Sequence, residues 1–356
     1  MKKIFKTVAA VATAAALTMS LAGCGLIVDK DDIEKSREEK ALAAERAQQA
    51  QEIVLTIDDD IQVSGAYYGY YFSNVQMRMT QEAQQAQEAE AAASSDAEAS
   101  SSAEIKLDVE EVKAEAKDQI VAVKMACKKA EEAGIKLTDE DKVNINNQVD
   151  SFKSQIQQMG ISQMGITYSD YITEFLYTNQ ETIEEIMKDT YIANLYNASL
   201  VADKFVSAKH ILVGFAAEGE EPTEGQLPKA DALAKITDIK KQLDGGADFD
   251  KLMKENSTDP GLETAPNGYT FAKGAMVPEF EAAAFALKDG EVSDIVETSY
   301  GYHILKNVPT TTSSVADALA TTADPEVAAV IEAANATLTE GVNVVEGDKI
   351  SYYTVD

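Results

Sequence analysis

The chain of 356 residues is strongly acidic, because 61 Asp and Glu residues outnumber 31 Lys and Arg residues and give a formal net charge of −30. This balance leaves no basic surface to neutralise phosphates, so we expect no nucleic-acid binding. Two Cys and two His residues are too few for a disulfide framework, a thiolate cluster or a His-rich metal site. We therefore expect neither a metal nor another cofactor.

The N-terminus has the features of an export signal. Three Lys residues within the first six precede an apolar run over residues 8–21, which is too short to remain as a membrane-spanning helix. The run ends in Leu21-Ala22-Gly23-Cys24, which resembles the bacterial lipobox. We expect residues 1–23 to be a signal peptide and Cys24 to carry a lipid that anchors the chain to the extracytoplasmic face of the cell membrane. The alternative is an ordinary secretory signal with a chance Cys.

The positions of proline divide the chain. All seven Pro residues lie at or after Pro222, and six of them fall between Pro222 and Pro309. The first 221 residues are therefore free to be helical, whereas turns punctuate the later part. Residues 24–51 are charged and rich in Ala, Glu and Gln, which predicts a solvated stalk. Residues 82–104 contain only Ala, Ser, Glu, Gln and Asp, which predicts a flexible or frayed helical insertion.

Residues 52–205 are predicted to form a helical, chaperone-like domain. Two short strands, at 53–57 and 61–63, flank Asp58-Asp59-Asp60, which lacks the ligand spacing of a calcium loop and is interpreted as a solvated turn. Apolar residues then recur every three or four positions. This periodicity predicts helices over 109–130, 138–159 and 168–202.

Within this domain, one side chain is expected to cap a helix, and a Cys residue and an aromatic cluster each have a structural and a functional interpretation. Thr138 is expected to cap the second helix. Cys127 lies on the apolar stripe of the first helix, which favours a buried side chain over a reactive thiol. The aromatic cluster at 67–72 suits contact with unfolded chains, but core packing is the simpler interpretation.

From Val206 the pattern changes to strand, helices, strand, helix and strands. This order predicts a compact α+β domain of about 100 residues. Asp248 is expected to cap one short helix, and Pro278 to occupy the first turn of another. Closing strands are expected at 292–296 and 302–308.

Five motifs stand out within this segment. They are Ala208-Lys209-His210-Ile211-Leu212-Val213, Gly246-Ala247-Asp248-Phe249, Asn256-Ser257-Thr258-Asp259, Phe271-Ala272-Lys273-Gly274-Ala275-Met276-Val277-Pro278-Glu279-Phe280 and Gly301-Tyr302-His303-Ile304-Leu305-Lys306. In order and spacing they resemble the parvulin family of peptidyl-prolyl cis/trans isomerases. The resemblance implies a small antiparallel sheet flanked by helices over residues 206–309.

The resemblance also implies a set of site residues. In parvulins, two His residues hydrogen-bonded across the sheet centre lie with a Cys or Asp beside the bound X-Pro carbonyl. These positions fall on His210, His303 and Asp259, and the family's apolar proline pocket falls on three further residues. The pocket residues are Met276, Phe280 and Phe271. Isomerisation needs no nucleophile, only a site that favours the twisted amide over both planar forms.

Two of these roles have structural alternatives. The His pair can simply stabilise the sheet, which is compatible with catalysis. Asp259 can act on the twisting amide through hydrogen bonding and its local field, or cap the turn before Pro260.

The segment also departs from the family pattern. Gly268 stands where the family usually has Leu, so one pocket wall is either missing or supplied by Tyr269. Phosphate-directed parvulins have basic residues in the loop after the first strand, whereas this loop is acidic and no Arg follows Arg78. Recognition of phosphoSer-Pro is therefore not expected. The acidic residues of the loop are Glu218, Glu220, Glu221 and Glu224.

The export signal, lipobox and helical region around a parvulin domain resemble the layout of PrsA-type extracellular foldase lipoproteins. Asp324-Pro325 predicts the start of a helix that runs through Ala334, and residues 342–345 and 350–355 predict a terminal hairpin. The layout implies an α+β protein whose tail, residues 310–356, packs on the N-terminal domain. It implies a membrane-anchored foldase that isomerises X-Pro bonds in unfolded or partly folded secreted proteins. The alternative is a non-catalytic holdase that uses the parvulin fold to bind unfolded chains. The sequence leaves open whether the protein is a homodimer.

Overall fold

The computed structural model describes residues 49–93, 105–159, 161, 165–216 and 219–355. The predicted signal peptide, the lipidation site at Cys24, nearly all of the predicted stalk, residues 94–104 of the predicted insertion and Glu218 lie outside the described residues. Within the described residues, none of the helices combines the length and the apolar character needed to cross a bilayer.

Helices and strands alternate in runs along the described chain. The strands are β1 (Ile53–Ile57), β2 (Ile61–Ser64), β3 (Val206–Phe215), β4 (Gln226–Leu227), β5 (Tyr269–Phe271), β6 (Val296–Thr298), β7 (Gly301–Val308) and β8 (Val344–Glu346). The helices are α1 (Gly65–Ala93), α2 (Val109–Glu132), α3 (Asp139–Gln158), α4 (Tyr168–Glu174), α5 (Gln180–Val201), α6 (Lys229–Asp244), α7 (Phe249–Asn256), α8 (Pro278–Ala286), α9 (Thr312–Leu319) and α10 (Pro325–Leu338).

The chain divides into two compact units. The first contains the described residues up to Tyr196 together with those from Glu332 onward, and the second spans Asn197–Ile331. The second unit extends beyond the predicted parvulin segment, 206–309, at both ends. It includes α9, whose Val315 is buried in a cluster with Phe205 and Ala272.

The first unit has a small sheet in the order β2-β1-β8. The strands predicted on either side of the acidic turn are present, and Asp58 and Asp59 adopt positive φ angles of 50° and 64° within that turn. The terminal hairpin predicted within residues 342–355 is wrong. Val344–Glu346 pairs antiparallel with β1 instead, and Asp348–Tyr352 forms a 3-10 helix.

The helices of the first unit bury the aromatic cluster. Tyr67, Tyr68 and Phe72 are at most 1% exposed, which confirms core packing as the role of these rings. The predicted cap at Thr138 is also confirmed, because its hydroxyl accepts the Asp141 N–H while the Asp141 carboxylate accepts the Thr138 N–H. Such a reciprocal cap satisfies two donors at the helix start and fixes where α3 begins.

Cys127 lies on α2 and packs against the core of the first unit. Its Sγ donates to the carbonyl oxygen of Asp189 at 3.2 Å. Burial, reinforced by the nearby Asp189, raises the pKa of the thiol to about 12. The thiolate is therefore scarce at neutral pH, which agrees with the structural role predicted for this residue.

The second unit is built on the sheet order β4-β3-β7-β6, with β5 also pairing with β3. The β3–β4 pair is parallel and the others are antiparallel. One face packs on α6 and α7, through a cluster that includes Ile211, Ile236 and Ile304. The opposite face packs on α8 through Phe280 and Leu305. The second face carries the predicted site.

The closing strand expected at 292–296 is largely wrong, because regular pairing begins only at Val296. Val292 forms a single bridge with Lys306, and the hydroxyl of Ser293 accepts the N–H of Leu305. A side chain therefore takes the place of a backbone acceptor here and interrupts the ladder.

Candidate active site

Two central strands place the His residues side by side. In the β3–β7 register His210 lies opposite Leu305, and Leu212 lies opposite His303. Because residues two apart on a strand share a face, both imidazoles lie on the face that packs against α8. Their ring centroids are 5.3 Å apart, with planes inclined by 56°.

The hydrogen bond expected between the two His residues is not formed. The Nδ1 atoms of His210 and His303 are both buried, and neither has a hydrogen-bond partner in the described part of the chain. Each ring instead directs Nε2 toward another side chain. His303 Nε2 lies 2.9 Å from Thr298 Oγ1, and His210 Nε2 lies 3.6 Å from Asp259 Oδ2.

Burial keeps both imidazoles neutral at pH 7. It lowers the pKa of His303 to about 4, with a further lowering from His210 and an opposing effect from Asp259. Burial also lowers the pKa of His210, again opposed by Asp259. Burial outweighs attraction to the carboxylate because a charged imidazole loses its hydration inside the sheet.

Asp259 connects the sheet to the turn that follows α7. Its Oδ1 accepts the Gly261 N–H at 3.1 Å, and its Oδ2 accepts the Tyr269 hydroxyl at 2.8 Å. The capping role weighed from the sequence is therefore present, at the start of the 3-10 helix Pro260–Glu263. Oδ2 also lies close to His210, so the same carboxylate remains a candidate for the catalytic role.

An aromatic side chain from α8 covers the His pair. The Phe280 ring stands edge-on to His210, with centroids 5.1 Å apart, and edge-on to His303 at 5.4 Å. Phe271 lies 5.9 Å from Phe280, and Met276 packs against the same cluster. The structure thus gathers on one face all six site residues predicted from the sequence in this domain.

The backbone at Gly268 leaves no room for the Leu side chain that the family usually has at this position. It has φ of +93°, and a Cβ at this position would lie 2.5 Å from the carbonyl oxygen of Ala208. Any side chain would separate β5 from β3. The neighbouring Tyr269 stacks on His210 with centroids 5.8 Å apart and planes inclined by 25°, which is the position that a pocket wall supplied by Tyr269 requires.

The hydroxyl groups that fix the backbone around the site were not predicted from the sequence. Thr298 is buried beside His303, and its Oγ1 also accepts the N–H of Tyr300. Ser257 Oγ accepts the N–H of Leu212, and Thr258 Oγ1 accepts the N–H of Gly214. The alternation of a β6–β7 hairpin could have placed Thr298 on the face of His303, but only after its register was known.

The described residues contain no group of three or more His, Cys, Asp or Glu side chains able to hold a metal ion. What this site presents is two neutral imidazoles, one carboxylate and aromatic rings. Such groups can orient an amide and stabilise a change in its polarity without forming a covalent bond.

Comparisons with known proteins match parts of this chain. Residues 210–308 match the family model of the PPIC-type PPIASE domain. Over 199 residues the chain is 33% identical to Foldase protein PrsA of Caldanaerobacter subterraneus subsp. tengcongensis, covering 55% of this chain and 56% of that protein. Over 83 residues it is 54% identical to Foldase protein PrsA of Geobacillus kaustophilus, covering 22% and 28%. The chain thus spans about half or less of the length of these curated relatives.

Two solved structures also match parts of the chain. The peptidylprolyl isomerase PrsA of Bacillus anthracis is 25% identical, with 62% of this chain and 94% of that chain covered and a TM-score of 0.24. NmPin, the parvulin of Nitrosopumilus maritimus, is 36% identical, with 30% and 97% covered and a TM-score of 0.22.

Proposed function

We propose that this chain, whose residues 210–308 form a PPIC-type peptidyl-prolyl isomerase domain, is a foldase that catalyses cis/trans isomerisation of X-Pro bonds in other polypeptides. The observation that carries the proposal is the convergence of His210, His303, Asp259 and Phe280 on one face of the sheet. The names of the PrsA relatives support the same activity.

The chemistry of the reaction explains why this set of groups suffices. Rotation about a peptide bond breaks amide resonance, so the transition state has a pyramidal nitrogen and a more ketone-like carbonyl. Phe280 and Met276 supply an apolar surface for the proline ring. Asp259 lies beside the buried imidazole of His210, where its charge is weakly screened. Its negative charge can disfavour the planar amide, whose carbonyl oxygen is more negative, relative to the twisted, ketone-like form. No step requires a nucleophile or a cofactor.

We propose that the substrates are unphosphorylated. Glu220, Glu221 and Glu224 are exposed in the loop after β3, which also carries His210. A phosphate group would meet repulsion from this loop, and no Arg follows Arg78 to offer a bidentate partner. Substrates with neutral or basic residues near the proline suit this surface.

The proposed place of action is the extracytoplasmic face of the cell membrane, with secreted polypeptides as clients. The support is the basic and apolar N-terminal segment followed by Leu-Ala-Gly-Cys24. Incorporation of labelled fatty acid by the wild type but not by Cys24→Ser tests the anchor. Equal labelling of both chains would contradict it.

The activity is tested by exchange between the cis and trans NMR signals of an unphosphorylated X-Pro peptide, with the full chain added. We expect His210→Ala and Asp259→Ala to slow exchange by about tenfold or more, which corresponds to ~1.4 kcal/mol of lost transition-state stabilisation. Asp250→Ala is the matched control, because Asp250 belongs to the same unit but pairs with Lys209 away from the site. Exchange at the uncatalysed rate with the wild type would refute the proposal.

A client-binding role is the second candidate, and one observation in the first unit favours it. A cavity of about 510 Å³ is lined mainly by hydroxyl, amide and Tyr side chains, with Glu181 as its charged residue. It could hold a neutral or basic peptide segment. If binding is the main function, full-length Asp259→Ala should suppress client aggregation as well as the wild type does, and the wild type should leave X-Pro exchange unchanged.

A further inference from the structure

Tyr269 contacts two of the groups proposed to act on the substrate. Its hydroxyl donates to Asp259 Oδ2 at 2.8 Å, and its ring stacks on the imidazole of His210. The same Oδ2 lies 3.6 Å from His210 Nε2, beyond hydrogen-bond distance. The Tyr269 hydroxyl is therefore the nearest donor to the carboxylate oxygen that faces the imidazole.

The backbone is arranged to hold Tyr269 in this place. In the β3–β5 register Tyr269 lies opposite Ala208, which shares a face with His210. Gly268 permits the close approach of the two strands, since a Cβ there would meet the Ala208 carbonyl. The position of the Tyr269 ring is thus set by strand pairing, which leaves little freedom for its hydroxyl.

A second glycine makes room for the hydroxyl itself. A Cβ built on Gly261 would lie 1.9 Å from the Tyr269 hydroxyl oxygen. Gly261 also donates its N–H to Asp259 Oδ1. The two carboxylate oxygens are therefore held by separate donors, one from the turn and one from β5, and this pair of bonds fixes the rotation of the carboxyl group.

We propose that Tyr269 is a positioning residue that holds the Asp259 carboxylate in its active orientation beside His210, and that Gly261 is glycine to admit its hydroxyl. This inference rests on the proposed isomerase function. Burial, together with the hydrogen bond to Asp259, raises the pKa of Tyr269 to about 12, so the hydroxyl stays protonated and able to donate throughout the neutral range.

The first test removes the hydroxyl and keeps the ring. Tyr269→Phe in the full chain should lower kcat/KM for an unphosphorylated X-Pro peptide about fivefold, as expected for one lost hydrogen bond. In the background of Asp259→Ala the same change should alter kcat/KM by less than about twofold, because the group being positioned is gone. Equal losses in both backgrounds would overturn the inference.

The second test displaces the hydroxyl without changing Tyr269. Gly261→Ala should reproduce the kinetic effect of Tyr269→Phe, and the two changes together should be no worse than either alone. Gly245→Ala is the control, since Gly245 has an ordinary φ of −81° and a Cβ there would meet no atom closer than 3.3 Å. Tyr302→Phe is the control for the lost hydroxyl, because the Tyr302 ring packs on Phe215 in the cluster on the opposite face.

A readout that does not depend on activity separates this inference from the proposed function. The carboxyl ¹³C resonance of Asp259 should shift in Tyr269→Phe and in Gly261→Ala but not in Tyr302→Phe or Gly245→Ala. Unshifted Asp259 signals in the first two variants would overturn the positioning role. A wild type without isomerase activity but with these shifts would refute the proposed function and leave the contact itself established.

Discussion

The rings of Phe280 and His210 meet edge to face, with centroids 5.1 Å apart and planes inclined by 86°. Phe280 is 4% exposed and belongs to the cluster that joins α8 to the sheet. One side chain therefore closes the core and also lies against the His pair, where the proline pocket is predicted. Its two roles can be separated by the size of the replacement.

We expect Phe280→Ala to lower the free energy of unfolding of the second unit by about 3–5 kcal/mol, because it leaves a cavity under α8. Phe280→Leu should cost less than about 1.5 kcal/mol. The Leu variant should nevertheless raise KM, since it loses the flat edge against both imidazoles. Urea titration followed by the NMR signals of β3, together with peptide kinetics, measures both effects. Equal stability losses in the two variants would contradict the cavity argument.

Gly268 offers a test of the backbone that carries Tyr269. Gly268→Ala combines a left-handed φ with a contact of 2.5 Å to the Ala208 carbonyl oxygen, so β5 must move. We expect a loss of roughly 3–5 kcal/mol in the stability of the second unit. Gly274→Ala is the control, because Gly274 has φ of +83° but open space around its Cβ position, and it should cost only about 1–2 kcal/mol. Similar costs would show that φ alone matters.

The neutral state of His303 predicts how stability depends on pH. Its pKa of about 4 lies below the ordinary value of 6.5, so between these values the unfolded chain binds a proton that the native chain does not. The wild type should therefore lose stability as the pH falls from 6.5 toward 4, on the order of 2–3 kcal/mol from this residue. The titratable groups that act on it are His210 and Asp259, and His210 contributes in the same direction.

His303→Gln should flatten this part of the curve relative to the wild type, whatever its stability at pH 7. Urea midpoints of the second unit, measured at intervals through this range, provide the comparison. Parallel curves for the two proteins would mean that His303 is not held neutral in the native state.

Thr298 is predicted to set the tautomer of His303. Thr298→Val keeps the shape of the side chain but removes the partner of Nε2 inside the sheet, which should cost about 1–3 kcal/mol. Thr298→Ser should retain most of the stability. The imidazole ¹⁵N shifts of His303 should change in the Val variant and stay near wild-type values in the Ser variant. Identical shifts in all three proteins would show that the hydroxyl does not determine the proton position.

Local signals explain why much of the fold could be predicted. Thr138, Asp248 and Pro278 each act within a few residues of their own position, and each begins a helix as expected. The six site residues, by contrast, were predicted from the resemblance of five motifs to the parvulin family, which assigns roles to these positions.

What could not be predicted depends on pairing across long stretches of chain. The hydrogen bond from the Tyr269 hydroxyl to Asp259 requires β5 to pair with β3. The sequence shows only that Gly268 stands where the family usually has Leu. The composition of residues 292–296 favours a strand, but Ser293 interrupts it. The reason is that the Ser293 hydroxyl accepts the N–H of Leu305 across the sheet. The two neutral imidazoles are oriented by different side chains, His303 by Thr298 and His210 by Asp259. No local sequence pattern indicates these two contacts.

The pairing of β8 with β1 has a consequence for the order in which the chain can mature. The partners of this ladder, such as Thr56 and Val345, are separated by the entire second unit. During synthesis, β1 cannot pair with β8 until all of that unit has emerged, whereas the second unit is contiguous and can complete its own sheet earlier. The second unit, with its candidate active site, can therefore be complete while the sheet of the first unit still lacks β8.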